Sequence, residues 1–329
     1  INDDLPIPFT ATVGAENADF LTGDYASDIA AIQAANGGGE IVLKDAVYQG
    51  GNSSTDNLVI DPSTSQNIKI RGSHPAGCEL RAGNVEYSNG GTSVGVISTP
   101  APGTGSGVST SKTTYGNITI EGIKVKTYNG GYGITLFNAT NIRLNKVETY
   151  TANLNANPLL RLIKSGIYIR FCDDVQLNDV NAHDTNGNGI SVTATDNGKL
   201  TDCWTKNTYD DGYDIDYDVD DTNSVKSHNI ELVNCTSDTI LTNGVNFRIE
   251  NSEDVTLTNC IGIGGLPDAF WVGCDFRATG QTCARVTLNN CIAKDAQSIG
   301  FHTEITSNIA STVEDITFNG CQAYYYSCN

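Results

Sequence analysis

The chain has 329 residues, ten cysteines, no methionine and a formal net charge of −19. That charge, with no basic stretch, excludes nucleic acid as an expected partner, because phosphate binding needs clustered Lys and Arg. No apolar run approaches the roughly 20 residues that a membrane-spanning helix needs.

The cysteines, the opening at Ile1 and the Asn-x-Ser/Thr sequons starting at Asn52, Asn117, Asn138 and Asn234 fit a secreted, extracellular, disulfide-bearing glycoprotein. A monomer is expected.

In chain order, the first predicted element is a short helix. Ser27 is an N-cap before the helical pattern of S-D-I-A-A-I-Q-A-A, and a turn and strand follow in G-G-G-E-I-V-L-K-D-A-V-Y. Such a helix would cover the end of a solenoid, so residues 1–60 read as N-terminal cap and first coil. Gly90 to Thr113 reads as a long surface loop.

From residue 117 onward one sentence recurs. It reads N-I-T-I-E-G-I at 117, N-I-R-L-N-K-V at 141 and D-V-Q-L-N-D-V at 174. It continues through N-I-E-L-V-N-C at 229 to D-I-T-F-N-G-C at 315, with a period of roughly 22 to 32 residues. Nine residues after the last position of most repeats, a Gly or Ala opens a short alternating strand: G-I-S-V, G-Y-D-I-D, G-V-N-F-R, A-F-W-V, G-F-H-T-E. Each coil cannot bury its apolar positions alone, whereas stacked coils bury a continuous column. The expected fold is all-β: a right-handed parallel β-helix over 1–329, regular from 117 to 329.

Cys203, Cys235, Cys260, Cys291 and Cys321 fall in one inward column after Ile123, Val147 and Val180. They read as small apolar core residues, with axial disulfides as the alternative. Cys274 and Cys283 bracket a loop and are expected to be bonded; Cys321 and Cys328 are a second candidate pair.

On the Gly-led strands, one outward column reads Thr135, Tyr168, Ser191, Asp214, Asn246, Trp271, His302, and the next reads Arg170, Thr193, Asp216, Arg248, Gly273, Glu304. Aromatic, cationic and carboxylate groups on one strip suit a sugar chain. Tyr168, Arg170, Asn246, Trp271, His302 and Glu304 are the expected substrate contacts. A neighbouring strip carries His183 and Lys206. Asp210, Asp211 and Asp214 crowd like charges, which is costly without a counter-ion. With Asn188 one coil earlier they are a candidate Ca²⁺ set. Asp218, Asp220 and Asp221 read as solvated surface.

At these residues the chain resembles the pectate-lyase-like superfamily, and within it polysaccharide lyase family 9. D-D-G-Y-D (Asp210 to Asp214) resembles that family's D-D-G-W-D signature. N-A-H-D-T-N-G-N-G (Asn181 to Gly189) resembles its S-H-D-N…N-A-D-G segment, and N-G-V-N-F-R (Asn243 to Arg248) its N-G-x-G-F-K. The resemblance covers roughly residues 174 to 260. It implies a right-handed parallel β-helix, Ca²⁺ held by four aspartates, and β-elimination on polygalacturonate with a Lys base. Three of those aspartates fall on Asp210, Asp211 and Asp214, and the fourth on Asn188. The base falls on Asn246 by register, which cannot abstract a proton, and this leaves Arg248 or Lys206.

The leading expectation is therefore a Ca²⁺-dependent lyase on an acidic polysaccharide, with Arg248, Lys206, Asp214, Asp216 and His183 as catalytic candidates. A glycoside hydrolase using Asp214 and Asp216 is the first alternative. A uronate epimerase with His183 as proton donor and a non-catalytic carbohydrate-binding solenoid are the others.

Overall fold

The computed structural model describes residues 10–14, 20–21, 38–50, 53, 57–60, 67–82, 88–89, 92–93, 95–99, 115–128, 131–151, 164–219, 224–242, 244–274, 280–305 and 311–325. The helix expected after Ser27 and the half-cystine candidate Cys328 lie outside them. No helix occurs among the described residues; the strands form three long parallel sheets of twelve, ten and nine strands, plus two small hairpins. Each coil visits the twelve-stranded, then the ten-stranded, then the nine-stranded sheet, and pairs with the coil before it. This is the right-handed parallel β-helix that the repeat predicts.

The repeat has a backbone meaning. Its first residue lies in the left-handed region in every coil from Asn117 through Asn141, Asp174, Asn197, Asn229 and Asp254 to Asp315. Its sixth residue does the same at Gly122, Lys146, Asp179, Asp202, Asn234, Asn259, Asn290 and Gly320. Asn, Asp and Gly tolerate positive φ best, so these residues mark where the chain turns from one sheet into the next. Between them, alternate residues such as Leu177, Leu200, Leu232, Leu257 and Leu288 point inward and are fully buried.

The turn asparagines also bond along the axis. Asn234 Nδ2 donates to Asp202 Oδ1 at 3.0 Å, Asn259 Nδ2 donates to Asn234 Oδ1 at 3.2 Å, and Asn117 donates to Asn67. Three expected sequons fall on these turns or inside: the amides of Asn117 and Asn234 are spent in ladders, and Asn138 is buried. Asn52 lies outside the described residues. A glycan on Asn117 or Asn234 would have to break its ladder.

The column of Cys203, Cys235, Cys260 and Cys291 is fully buried, with each thiol donating to a leucine carbonyl of the preceding coil at 3.5–3.7 Å. Among the described residues no disulfide forms. This corrects the expected Cys274–Cys283 bond: Cys274 Sγ instead donates to the Thr312 carbonyl at 3.2 Å, and Cys283 is a buried core thiol. Directly stacked parallel strands hold Cβ atoms at about their own 4.8 Å spacing, wider than the roughly 3.8 Å a disulfide prefers. Dithiothreitol is accordingly expected to leave the melting temperature unchanged. A fall of several degrees would reveal a covalent staple.

A second inward column belongs to the nine-stranded sheet. Ile134, Ile167, Ile190, Tyr213, Phe247, Phe270 and Phe301 are in register. The last four form a parallel ring stack with centroids 4.8 Å apart. This stack fixes the height of every outward side chain beside it.

Candidate active site

The register of the nine-stranded sheet corrects one sequence expectation. Phe247, not Val245, pairs with Tyr213, so Arg248 stands opposite Asp214 and Asn246 falls at the level of Gly212. Packing explains the two-residue shift. A Cβ at Gly212 would lie 2.6 Å from the Asn246 backbone oxygen and 2.0 Å from Ser237 Oγ, so that position has to be glycine. In the next coil the facing residue is Gly262, whose missing side chain makes room for Asn246. Asn246 is fully buried, and its Nδ2 donates to Ser237 and to the Ile263 carbonyl. It is an interior strut and does not reach a substrate.

The corrected outward columns read Thr135, Tyr168, Ser191, Asp214, Arg248, Trp271, His302 and Phe137, Arg170, Thr193, Asp216, then Glu250, Gly273, Glu304. Over them lies a cleft of about 580 Å³, lined from Tyr132 and Tyr168 at one end to Arg248 and Glu250 at the other. The structure thus brings together Tyr168, Arg170, Asn188, Asp210, Asp211, Asp214, Asp216 and Arg248. Trp271, His302 and Glu304 continue the same strip beyond Arg248.

His183 and Lys206 stand elsewhere, on the outer face of the ten-stranded sheet. His183 stacks on Tyr150 with centroids 5.2 Å apart and bonds Asp184 at 2.7 Å and Glu148 at 3.0 Å. Lys206 pairs with Asp238 at 3.3 Å. Neither lines the cleft. In the other direction, Asp218 is no solvated bystander: it lines the cleft and pairs with Arg170. Glu250 also lines the cleft, at a level that residue counting hides because of the register shift. The aromatic ladder Tyr213–Phe247–Phe270 was the signal that could have found it.

At the cleft floor, Asp214 Oδ2 accepts from Asn188 Nδ2 at 2.8 Å and from Ser191 Oγ at 3.2 Å. Asp216 Oδ1 accepts from the Tyr217 N–H at 2.7 Å. Asp211 is 3 % exposed; its Oδ1 accepts from the Val245 N–H at 2.7 Å. Burial pushes the Asp211 carboxyl well above the usual range; Arg248 opposes that shift, and Asp210 and Asp214 add to it. Arg248 donates from Nε to Glu250 Oε2 at 2.8 Å and places Nη1 3.7 Å from Asp211 Oδ2. Burial alone would lower this guanidinium; Asp211, Glu250, Asp214 and Asp216 together push it far up, so it stays a cation. Burial likewise raises Tyr168, with Arg170 opposing.

The Ca²⁺ set implied by the resemblance can be tested against these contacts. Asn188 spends Oδ1 on the Asp211 N–H at 3.1 Å and turns its amide nitrogen, a donor, toward Asp214. Asp211 divides its oxygens between a backbone N–H and Arg248. Among the His, Cys, Asp and Glu side chains of the described residues, only His228, Glu253 and Asp254 bring three ligand atoms within 4.8 Å of one another, and Lys226 and Arg285 already pair with those carboxylates. As they stand, the contacts of Asn188, Asp211 and Asp214 do not fit a calcium ion.

No family model matches the chain, and no curated protein does. Solved structures do. An alginate lyase from Paenibacillus sp. str. FPU-7 superposes with TM-score 0.60 at 16 % identity over 96 % of this chain and 99 % of that one. The catalytic domain of a family 87 α-1,3-glucanase gives 0.57 at 11 % over 97 % of this chain and 59 % of that one. The family 28 exopolygalacturonase of Yersinia enterocolitica gives 0.56 at 14 % over 89 % and 61 %. The chain therefore has the right-handed parallel β-helix fold that these polysaccharide-active enzymes share.

Proposed function

We propose that the protein hydrolyses glycosidic bonds of a polysaccharide in this cleft, with Asp214 and Asp216 as its acid–base pair. The observation that carries the reading is their placement. Both project from one strand, Tyr213–Asp216, to the floor of the cleft, two residues apart. Strand rise sets their Cα atoms about 6.5–7 Å apart, a spacing from which two side chains on one face can hold carboxyl groups the roughly 6.5–9.5 Å apart that leaves room for a water beneath the sugar ring. Asp214, fixed as an acceptor by Asn188 and Ser191, activates that water. Asp216, beside it on the same strand, protonates the leaving oxygen. The test is proton NMR of the first-formed product. Inverted anomeric configuration is expected; retention, or an unsaturated end, would sink the assignment.

One observation favours a second reading. Arg248 opposite Asp214 occupies the place of the Lys in N-G-x-G-F-K, which supports β-elimination on a uronate polymer. That reaction needs a base for the C5 proton, and Arg248 and Tyr168 are both displaced away from that task. The cleft also sets six carboxylates against two guanidiniums, a field that disfavours a polyanion.

A further inference from the structure

We infer that the guanidinium of Arg248 supplies the counter-charge at the Asp211–Asp214 end of this cleft, in place of the calcium ion that the resemblance implies. This goes beyond the choice of reaction, since it concerns only what neutralises the carboxylates.

Crowded carboxylates need a counter-charge, and the structure supplies a covalently tethered one. The guanidinium is clamped on three sides. Nε donates to Glu250, itself 1 % exposed, at 2.8 Å. Nη1 lies 3.7 Å from Asp211. The plane rests over the Trp271 ring with its carbon 5.0 Å from the centroid. Trp271 is held in turn: its Nε1 donates to Glu304 at 3.3 Å, and the ring lies against Gly273, where a Cβ would come 2.8 Å from it. Glycine at 273 is thus what lets the indole lie beneath Arg248.

The would-be ligands are turned to match. A calcium site needs oxygen lone pairs converging on one point. Here Asn188 offers an N–H to Asp214, Asp211 offers its oxygens to Val245 and Arg248, and the arginine stands opposite Asp214 in the ladder. A planar guanidinium satisfies carboxylates that lie side by side on stacked strands, and its weak hydration makes it less costly to bury than a compact ammonium.

The consequence is reciprocal: removing the guanidinium should create the vacancy that a hard cation fills. The measurement is calcium titration by calorimetry, with terbium luminescence as a second probe, on the full chain, Arg248→Ala and Arg248→Lys. The wild-type protein and Arg248→Lys should show no saturable site in the cleft. Arg248→Ala should gain one, in the range of about 10⁻⁴–10⁻³ M of extracellular calcium modules, and Asp214→Asn in that background should remove it. Circular dichroism and the melting temperature establish that each variant is folded. Stoichiometric calcium binding by the wild-type protein that Asp214→Asn abolishes would overturn the inference. So would a folded Arg248→Ala that gains no site. None of these readouts uses turnover, so they remain decisive whether or not the hydrolase reading stands.

Discussion

Asp214→Asn is expected to lower kcat by about 10²–10⁴-fold, the usual contribution of a positioned proton-transfer group, while leaving the melting temperature unchanged or slightly higher. The asymmetry follows from the site. Asparagine keeps the shape and can still accept from Ser191, so the fold loses little. It also removes one charge from a cleft that places Asp210, Asp211, Asp214 and Asp216 together, and relief of like-charge repulsion is stabilising. Initial rates of reducing-end release, together with a thermal melt, read both effects. Equal loss of activity and of folded protein would mean that Asp214 is structural.

The largest effect on stability is expected at Phe247. Its ring lies between Tyr213 and Phe270 with both centroids 4.8 Å away and is fully buried. Phe247→Ala removes two stacking contacts and leaves a cavity that neighbouring coils, pinned by their backbone ladders, cannot close. A loss of about 3–5 kcal/mol is the norm for such a truncation. That corresponds to a melting temperature lower by on the order of 10 °C. Since Arg248 follows Phe247 on the same strand, the variant should also lose activity below its melting point. Phe247→Leu fills most of the space and should lose less than half as much stability. A melting temperature within 2–3 °C of wild type, roughly the change produced by 1 kcal/mol, would show that the stack is not what sets the coil spacing.

The coils were legible because their turn chemistry repeats. Asn, Asp or Gly at most of the first and sixth places of N-I-x-L-x-N-C marks the two left-handed residues of a coil, and the leucines between them point inward. The cleft was partly legible for the same reason: Tyr168, Arg170, Asp214 and Asp216 follow from strict alternation. The reading failed where one coil changed its spacing. Asn243-Gly244 imitates the glycine that opens the other strands, while Asn246 occupies that place against Gly262. A counting rule sees the imitation; only the pairing of Phe247 with Tyr213 shows the true level. His183 and Lys206 mark a second limit. Outward position is readable from alternation, but the sheet's direction depends on where the chain turns, and they face away from the cleft. The counter-charge was the least legible feature, because the clamp on Arg248 draws Asp211, Glu250 and Trp271 from three coils.

Hydrolysis at the Asp214–Asp216 pair can be separated from elimination in one assay. Wild-type protein and Asp214→Asn would be incubated with α-1,3-glucan, polygalacturonate and alginate. Reducing ends and the ultraviolet absorbance of unsaturated ends would be followed together, with and without EDTA. Hydrolysis gives new reducing ends on one of these polymers with no rise in absorbance, no effect of EDTA, and loss of the signal in Asp214→Asn. A rise in absorbance that EDTA abolishes would contradict it, establishing instead a calcium-dependent lyase.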